Sequence, residues 1–316
     1  MGDIVLIGIR FALYADLMLI AGLAVFPLYA LTRSERHAPQ PMAAIWRTQR
    51  WLSVAGLLLS GLGMGALAAS MQGVSLFSLE SQPFWDLVRE TDAGWAWMVR
   101  TAALLVALAA ALWMTRWPST ATAIVAAAGS VAVATLVWSG HAGATEGAAG
   151  TVHRISDILH MIAAAVWIGA IGAFLWLTAP KRIRESPDGP QMAARSLDQF
   201  SRVGTICVLI ITATGLLNGQ MIVGMDNLGQ SLASPYGQLL FAKLWLFAAM
   251  LALAAANRWR LTPKLRAAIA SGESDPDRML AAMRKSLALE AAAALLILAL
   301  VAWFGTLEPF VSADGG

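Results

Sequence analysis

The segment WSGHAGATEGAAGTVHRISDILHMIAAAVWIG, residues 138–169, joins the end of one apolar stretch to a glycine-rich loop and to the start of another apolar stretch. The loop contains four glycines, and the segment holds three of the chain's four histidines. Its second half continues as apolar residues up to Ala179, which is long enough to cross a bilayer as a helix. The segment therefore predicts a membrane helix with metal-binding side chains near one end.

The composition of the whole chain places it in a membrane. Of the 316 residues, 58% are hydrophobic and 13% are charged, and the mean hydropathy of +0.66 is too high for a soluble domain of this size. The formal charge of +3 comes from basic residues in particular loops, so we expect lipid and no nucleic acid as its partner. The single cysteine, Cys207, excludes an internal disulfide and a metal site made of cysteines alone.

Eight apolar stretches reach the roughly 20 residues that a spanning helix needs. We therefore expect an all-α fold, a polytopic bundle of eight transmembrane helices that forms a single membrane domain over residues 1–316. The expected spans are 4–31, 50–71, 95–117, 121–140, 155–179, 203–225, 237–258 and 286–307. The first stretch begins MGD without basic residues before it, so we expect a retained helix and not a signal peptide. The proline of RWPST, after the third span, predicts a tight turn. The segment FWDLVRE is either a solvated connector or a short helix on the outer interface.

Lysine and arginine are unevenly distributed among the loops. The loops after the first, third, fifth and seventh spans hold most of them, whereas the alternate loops hold only Arg89 and Arg154. By the positive-inside rule the basic loops are cytoplasmic, and both termini lie on the outer, periplasmic side. The outer loops carry several carboxylates, so we expect that side to attract cations.

Several charged side chains lie within the predicted spans away from the cytoplasmic side, where charge is costly and marks a functional candidate. Arg10, Arg100 and Lys243 are close enough to the outer end for their long side chains to reach the interface, so we expect interfacial anchors. Pairing with an outer carboxylate or an anionic partner is the alternative. Asp16 is too short to reach the interface and must face the bundle, either as a structural hydrogen-bonding group or as a proton or cation relay.

A further carboxylate, Glu290, lies about one turn inside the cytoplasmic end of the last predicted span. Arg284 and Lys285 precede it by one to two helical turns. We therefore expect Glu290 to form a structural ion pair with one of these basic groups.

One face of the fifth predicted helix carries polar side chains at helical spacing. His153, Asp157, His160 and Trp167 fall within about 80° if the helix begins shortly before its membrane boundary. His141 follows the fourth span, and the glycine-rich loop can fold it towards them. Imidazole binds copper, zinc, iron and nickel, and a nearby carboxylate can fix its tautomer. We predict an outer metal site with His141, His153 and His160 as ligands and Asp157 as an orienting group; simple capping or hydrogen bonding is the alternative for each histidine.

Two methionines add a weaker indication. Met221 and Met225 are four residues apart at the outer end of the sixth span, on one helix face. Thioether sulfur is a soft ligand that suits Cu(I). Methionine is also a common packing residue in helical bundles, so the pair predicts either copper ligands or packing.

The motif WSGHA, followed after the glycine-rich loop by SDILHMIAAAVWIGAIGAF, resembles the copper resistance protein D (CopD) family of bacterial inner-membrane proteins. The resemblance implies copper movement across the inner membrane, together with a separate periplasmic copper carrier of the CopC type, since no such domain is joined to this sequence. Outside residues 138–174 the similarity is one of helix layout. The matching residues are Ser139, Gly140, His141, Asp157, His160, Trp167 and Gly169.

Three functions agree with these residues. The first is a copper permease, in which Cu(I) or Cu(II) binds at the outer histidines and passes to Met221 and Met225, with Asp16 as the proton carrier. The second is a b-type haem or quinone-linked electron carrier with His141 and His160 as haem ligands. The third is a scaffold that delivers copper without transporting it. The sequence has no nucleotide-binding loop, and we expect no enzymatic activity.

Overall fold

The computed structural model describes residues 2–139, 147–185, 188–222, 234–271 and 276–304. Every regular element in these ranges is helical, and eight of the helices are long and apolar enough to cross a membrane. The predicted all-α bundle of eight spans is therefore confirmed. The side on which the termini lie and the single membrane domain stay predictions. The term "predicted outer face" is used for the end of the bundle at which the first helix begins.

The helices are longer than the predicted spans in several places, because helical hydrogen bonding continues into the polar flanks. In chain order they are α1 (Gly2–Ala30), α2 (Arg33–His37), α3 (Pro39–Gln72), α4 (Ser81–Glu90), α5 (Asp92–Trp113), α6 (Pro118–Ala134), α7 (Gly147–Leu177), α8 (Pro180–Glu185), α9 (Gly189–Ile222), α10 (Pro235–Ala256), α11 (Thr262–Ser271) and α12 (Pro276–Phe304). A 3₁₀ turn, Thr135–Ser139, extends α6, and a π-helical turn, Asn257–Leu261, joins α10 to α11.

Helix α1 lies at the centre of the bundle and contacts α3, α6, α7, α9 and α12. Its closest crossing is with α7, at Gly22 and Gly169. A Cβ atom on Gly169 would lie 2.1 Å from the carbonyl carbon of Gly22, and one on Gly22 would lie 1.9 Å from the carbonyl oxygen of Ala165. Since small residues allow membrane helices to approach at backbone distance, this contact fixes α7, and the polar residues on it, against the centre of the protein.

The end of α1 is held by α2 through hydrogen bonds to its last carbonyls. The Arg36 guanidinium donates to the carbonyl oxygens of Pro27, Leu28 and Leu31 at 3.1, 3.2 and 2.7 Å. The last carbonyls of a helix generally lack partners within it; here Pro27 also accepts from the Leu31 N–H at 3.3 Å. Glu35, on the same short helix, forms an ion pair with Arg195 of α9, so α2 connects the end of α1 to α9.

Large apolar side chains cover the outside of the bundle, as expected for a surface that faces lipid. Exposed tryptophans lie towards both ends of the spans, which is the typical position of aromatic residues at membrane interfaces. They include Trp95 (61% exposed), Trp113 (72%) and Trp117 (62%). The segment FWDLVRE is helical, because it lies in α4, an amphipathic helix that packs Leu87 and Val88 inward and exposes part of Trp85. Its position at the outer interface stays a prediction.

Arg100 does not act as an interfacial anchor. Its side chain is buried, only 5% exposed, and its Nε donates to the Ser60 hydroxyl of α3 at 2.9 Å. Trp97 donates to the carbonyl oxygen of the same serine at 3.0 Å. The anchor prediction was wrong here because α3 offers a polar partner inside the bundle.

Candidate functional site

A cavity of about 490 Å³ lies between α7, α9, α10 and α12, towards the predicted outer face. Most of its wall is apolar, with a small number of polar groups that converge on it. That combination is typical of a ligand site. The chemically informative lining residues are His160, Trp167, Gln220, Lys243, Phe247 and Met250.

His160 is oriented by a hydrogen bond across the α7–α9 contact. Its Nδ1 lies 3.0 Å from the Thr214 hydroxyl oxygen, and that hydroxyl already donates its one proton to the Ile210 carbonyl at 2.5 Å. Since a hydroxyl has a single proton, the Thr214 oxygen must accept from His160, and the ring carries its proton on Nδ1. Nε2 is therefore left with a free lone pair, the form in which imidazole binds a metal.

The predicted polar stripe on α7 is formed, since this helix begins at Gly147 and includes all four positions. Asp157 accepts a hydrogen bond from the Asn218 amide of α9 at 3.2 Å, and the side chain bonded to His160 is Thr214. His153 is buried and within electrostatic range of Asp157. Its role as a ligand, and that of Asp157 as its orienting group, stay predictions.

Lys243 of α10 reaches the same cavity as His160. Its ammonium group is within electrostatic range of both Asp157 and His160. The anchor interpretation of this lysine is therefore less apt than the alternative of pairing with a carboxylate. The wall of this cavity therefore has one imidazole and one ammonium group among mostly apolar side chains, and the Asp157 carboxylate lies within electrostatic range of Lys243.

Two predicted ligands, His141 and Met225, lie outside the described residues. Met221 is in the last turn of α9 and partly exposed, and the methionine that lines the cavity is Met250 of α10. Within the described ranges, no group of three or more histidine, cysteine, aspartate or glutamate side chains is arranged to hold a metal ion. The five-residue ligand set therefore stays a prediction.

Asp16 lies on another side of α1, away from this cavity. It is 6% exposed and packs against Gly56 of α3, where an added Cβ would lie 2.5 Å from its Oδ2. That oxygen has no hydrogen-bond partner among the described residues. The contact with α3 brings Asp16 to the same side as Ser60 and Arg100; its role as a relay stays a prediction.

The prediction that Glu290 forms an ion pair with Arg284 or Lys285 was wrong. Glu290 is buried and accepts a hydrogen bond from the Asn257 amide at 2.5 Å. Arg284 instead donates to the Thr178 carbonyl at 2.7 Å. The π-helical turn at Asn257 places an amide opposite Glu290, and helical spacing along α12 cannot predict that contact.

Sequence reasoning missed Thr214, Asn218 and Met250. Each is an ordinary residue in an apolar helix, with no motif around it. The only available indication was spacing, because Thr214 and Asn218 are four residues apart and so lie on one face of α9. That face becomes meaningful only when α9 is known to pack against α7.

The fold and this cavity define a multi-pass α-helical membrane protein with an imidazole in an intramembrane pocket. Comparison with known families identifies its kind more closely. The description "Copper resistance protein D-like, N-terminal domain" matches residues 1–151, and "Copper resistance protein D" matches residues 194–304. The chain belongs to the copper resistance protein D family, as the WSGHA motif indicated, and is a multi-pass protein of the bacterial inner membrane.

Individual relatives agree with this family. The chain is 39% identical over 317 residues to "Copper resistance protein D" of Pseudomonas syringae pv. tomato, covering 99% of each chain. It is 28% identical over 311 residues to "Inner membrane protein YebZ" of Escherichia coli (strain K12), covering 96% of this chain and 98% of the relative. "Copper transport protein CutJ" of Bacillus subtilis (strain 168) is 37% identical over 130 residues, 41% of this chain and 22% of that protein.

Proposed function

We propose that this protein handles copper and moves it across the inner membrane, receiving the ion in the cavity that contains His160. The observation that carries the proposal is the His160–Thr214 hydrogen bond, because it leaves Nε2 unprotonated in a cavity wall. Family membership supports copper as the cargo. His141 and His153 are the further ligands that we propose on the outer side.

The chemistry of the cavity suits a soft or borderline ion. Imidazole nitrogen and thioether sulfur are both good copper ligands, and Met250 lies in the same wall as His160. Met221 and Met225 are the alternative sulfur ligands from the sequence. A site with few strong ligands binds weakly enough for the ion to leave again, which a transport route requires.

Lys243 limits how strongly the cavity can hold a cation. Its positive charge opposes a bound copper ion in a medium of low dielectric constant, and Asp157 compensates part of that effect. We propose that this balance keeps occupancy by copper transient. A Lys243→Leu variant, which removes the charge without adding a copper ligand, is then expected to retain copper longer and to release it more slowly.

The test is copper uptake into proteoliposomes that contain the purified protein, with Cu(I) and Cu(II) supplied separately. His160→Ala is expected to abolish uptake. His37→Ala is the matched control, because His37 is exposed on α2 and bonds only the Arg33 carbonyl in the described contacts, at 2.7 Å. Equal uptake by the wild type and His160→Ala would contradict the proposed route.

Two other outcomes separate the alternatives. Bound copper without uptake indicates a delivery scaffold, and a Soret absorption band in the purified protein indicates a b-type haem carrier. Addition of a CopC-like periplasmic carrier loaded with copper tests the partner that the family resemblance implies. Faster uptake from the loaded carrier than from free copper is the expected result.

A further inference from the structure

A second cavity, of about 410 Å³, lies in the half of the bundle towards the predicted cytoplasmic face. Trp167 lines both this cavity and the one that contains His160. The indole also packs edge-on against Phe247, with 6.2 Å between ring centroids. Trp167 therefore stands between two cavities that follow one another along α7.

The second cavity contains the carboxyl group of Glu290, whose charge would have little compensation from neighbouring groups. Glu290 is 2% exposed and accepts a hydrogen bond from the Asn257 amide. Among the described residues no basic group lies within ion-pair distance of it. Because an uncompensated charge inside a membrane is costly, this environment favours the protonated carboxylic acid.

Polar atoms around Glu290 remain without partners. The Asn257 Oδ1 acceptor and the Trp167 Nε1 donor are both buried and have no hydrogen-bond partner among the described residues. The indole nitrogen faces the Glu290 carboxyl group without reaching hydrogen-bond geometry. A metal ion can satisfy an acceptor but not an N–H donor, whereas a water molecule can satisfy both.

The backbone beside this group is also unusual. Asn257 begins the π-helical turn Asn257–Leu261, and single π turns within helices occur frequently at functional sites. The Thr262 hydroxyl donates to the Asn257 carbonyl at 2.9 Å and stabilises the turn. The turn thus directs the Asn257 side chain towards Glu290.

The remaining charged group in the described lining is Arg258, which follows Asn257 in the turn. Its guanidinium donates to the Thr205 hydroxyl at 2.6 Å and to the Ser201 carbonyl at 3.3 Å, both on α9. The side chains that α7 contributes to the lining are Trp167, Ile171 and Phe174. Arg258 is thereby directed to α9, and Glu290 remains the group that can take up and release a proton.

We infer that Glu290, Asn257 and Trp167 form a hydrated proton-binding site on the predicted cytoplasmic side of Trp167. In transport, this site exchanges protons with the cytoplasm as cargo passes, so Glu290 and not Asp16 is the coupling carboxylate. The coupling rests on the proposed copper function, whereas the proton site does not.

The first experiment addresses the proton site alone. Infrared difference spectra of the reconstituted protein, recorded during a pH titration, report the carboxyl stretching band of protonated acids. Glu290→Gln is expected to lose one titrating component, and Asp16→Asn a different one or none. Glu80→Gln, the same change on an exposed side chain, is the control and is expected to keep the component that Glu290→Gln loses. A spectrum of Glu290→Gln identical to that of the wild type would overturn the inference.

Trp167→Phe provides a second variant that keeps the ring and removes only the N–H group. The Glu290 component is expected to persist with a shifted frequency, because its surroundings have changed. An unshifted band would show that the indole and the carboxyl group share no water. Size-exclusion profiles establish that each variant used is folded.

The second experiment addresses coupling. Copper uptake by the wild type is expected to depend on a pH gradient across the vesicle, and Glu290→Gln is expected to lose this dependence while its copper affinity stays unchanged. If wild-type uptake does not depend on the pH gradient, the proposed coupling is wrong, whereas the proposed copper transport still holds. Absence of wild-type uptake would overturn the proposed function, and the infrared result would still decide the proton site.

Discussion

The two halves of the bundle bury their polar groups in different ways. The first half is formed by α1, α3, α5 and α6, and the second half by α7, α9, α10 and α12. Arg100 packs against α3 in the first half, whereas His160, Lys243 and Glu290 line cavities in the second.

The difference separates charges that support packing from charges that can meet a ligand. When a buried charge is surrounded by protein, a substitution of its partner leaves it unpaired, and the free energy of unfolding falls. A charge on a cavity wall can exchange partners with water or an ion. We therefore expect substitutions in the first half to change mainly folding, and substitutions along the cavities to change mainly copper and proton handling.

The largest effect is expected at the α1–α7 crossing, which joins the two halves. Gly169→Ala places a Cβ atom 2.1 Å from the Gly22 backbone, and only a shift of one helix can relieve that clash, so we expect a loss of about 3 kcal/mol in unfolding free energy. Gly172→Ala is the matched control, since its Cβ would meet only Leu23 and Leu19 side-chain atoms at 3.6 and 3.7 Å. Thermal melting in detergent measures the stability of both variants. Equal melting temperatures would contradict the close contact between α1 and α7 at Gly169.

A smaller effect, confined to function, is expected for Thr214→Val. The substitution removes the acceptor that orients His160, and loss of such a supporting bond lowers metal affinity by about 10- to 100-fold. Thr101→Val loses the same kind of bond to its own helix, from Thr101 to the Trp97 carbonyl at 2.8 Å, without touching a histidine. Copper competition titrations on the two variants measure the difference, and similar affinities would refute the orienting role.

Ser60→Ala tests the first half. It leaves the buried Arg100 Nε without its acceptor, so we expect about 1.5 kcal/mol less unfolding free energy. Copper uptake per folded molecule is expected to stay at the wild-type level. Normal melting combined with lost uptake would show that Arg100 serves the transport route and would remove the contrast between the halves.

The smallest effect concerns the ion pair between Glu35 and Arg195, at the predicted cytoplasmic end. Partial burial alone would raise the pKa of Glu35, but hydrogen bonds from Thr32 and Arg195 outweigh it and lower the pKa below its ordinary value of 4.5. The stabilisation is therefore present above that pH and is lost as the pH falls through the lowered pKa. Since Arg195 is 42% exposed, we expect less than about 1 kcal/mol.

Glu35→Gln and Arg195→Gln measure this pair. Each is expected to melt slightly below the wild type at neutral pH and together with it at acid pH, and the double variant should add nothing to either single change. A difference that persists at acid pH would show that the pair does not cause it.

The sequence was sufficient for the helices because their signal is local. Twenty apolar residues predict a span wherever they occur, and the spacing of His153, Asp157 and His160 predicts one helix face without knowledge of neighbours. The resemblance carried by Ser139 to Gly169 identified the family for the same reason. The side on which the termini lie depends on the distribution of basic residues, and this prediction is independent of the fold.

Tertiary structure decided which helix each polar face meets. Thr214 became the orienting partner of His160, Asn257 replaced Arg284 and Lys285 beside Glu290, and Arg100 turned inward to Ser60. Helical periodicity gives the direction of a side chain around its own axis, but it contains nothing about the order in which helices pack. That order follows from contacts such as Gly22 against Gly169, where the absence of two side chains lets α1 and α7 meet and sets the cavities on either side of Trp167.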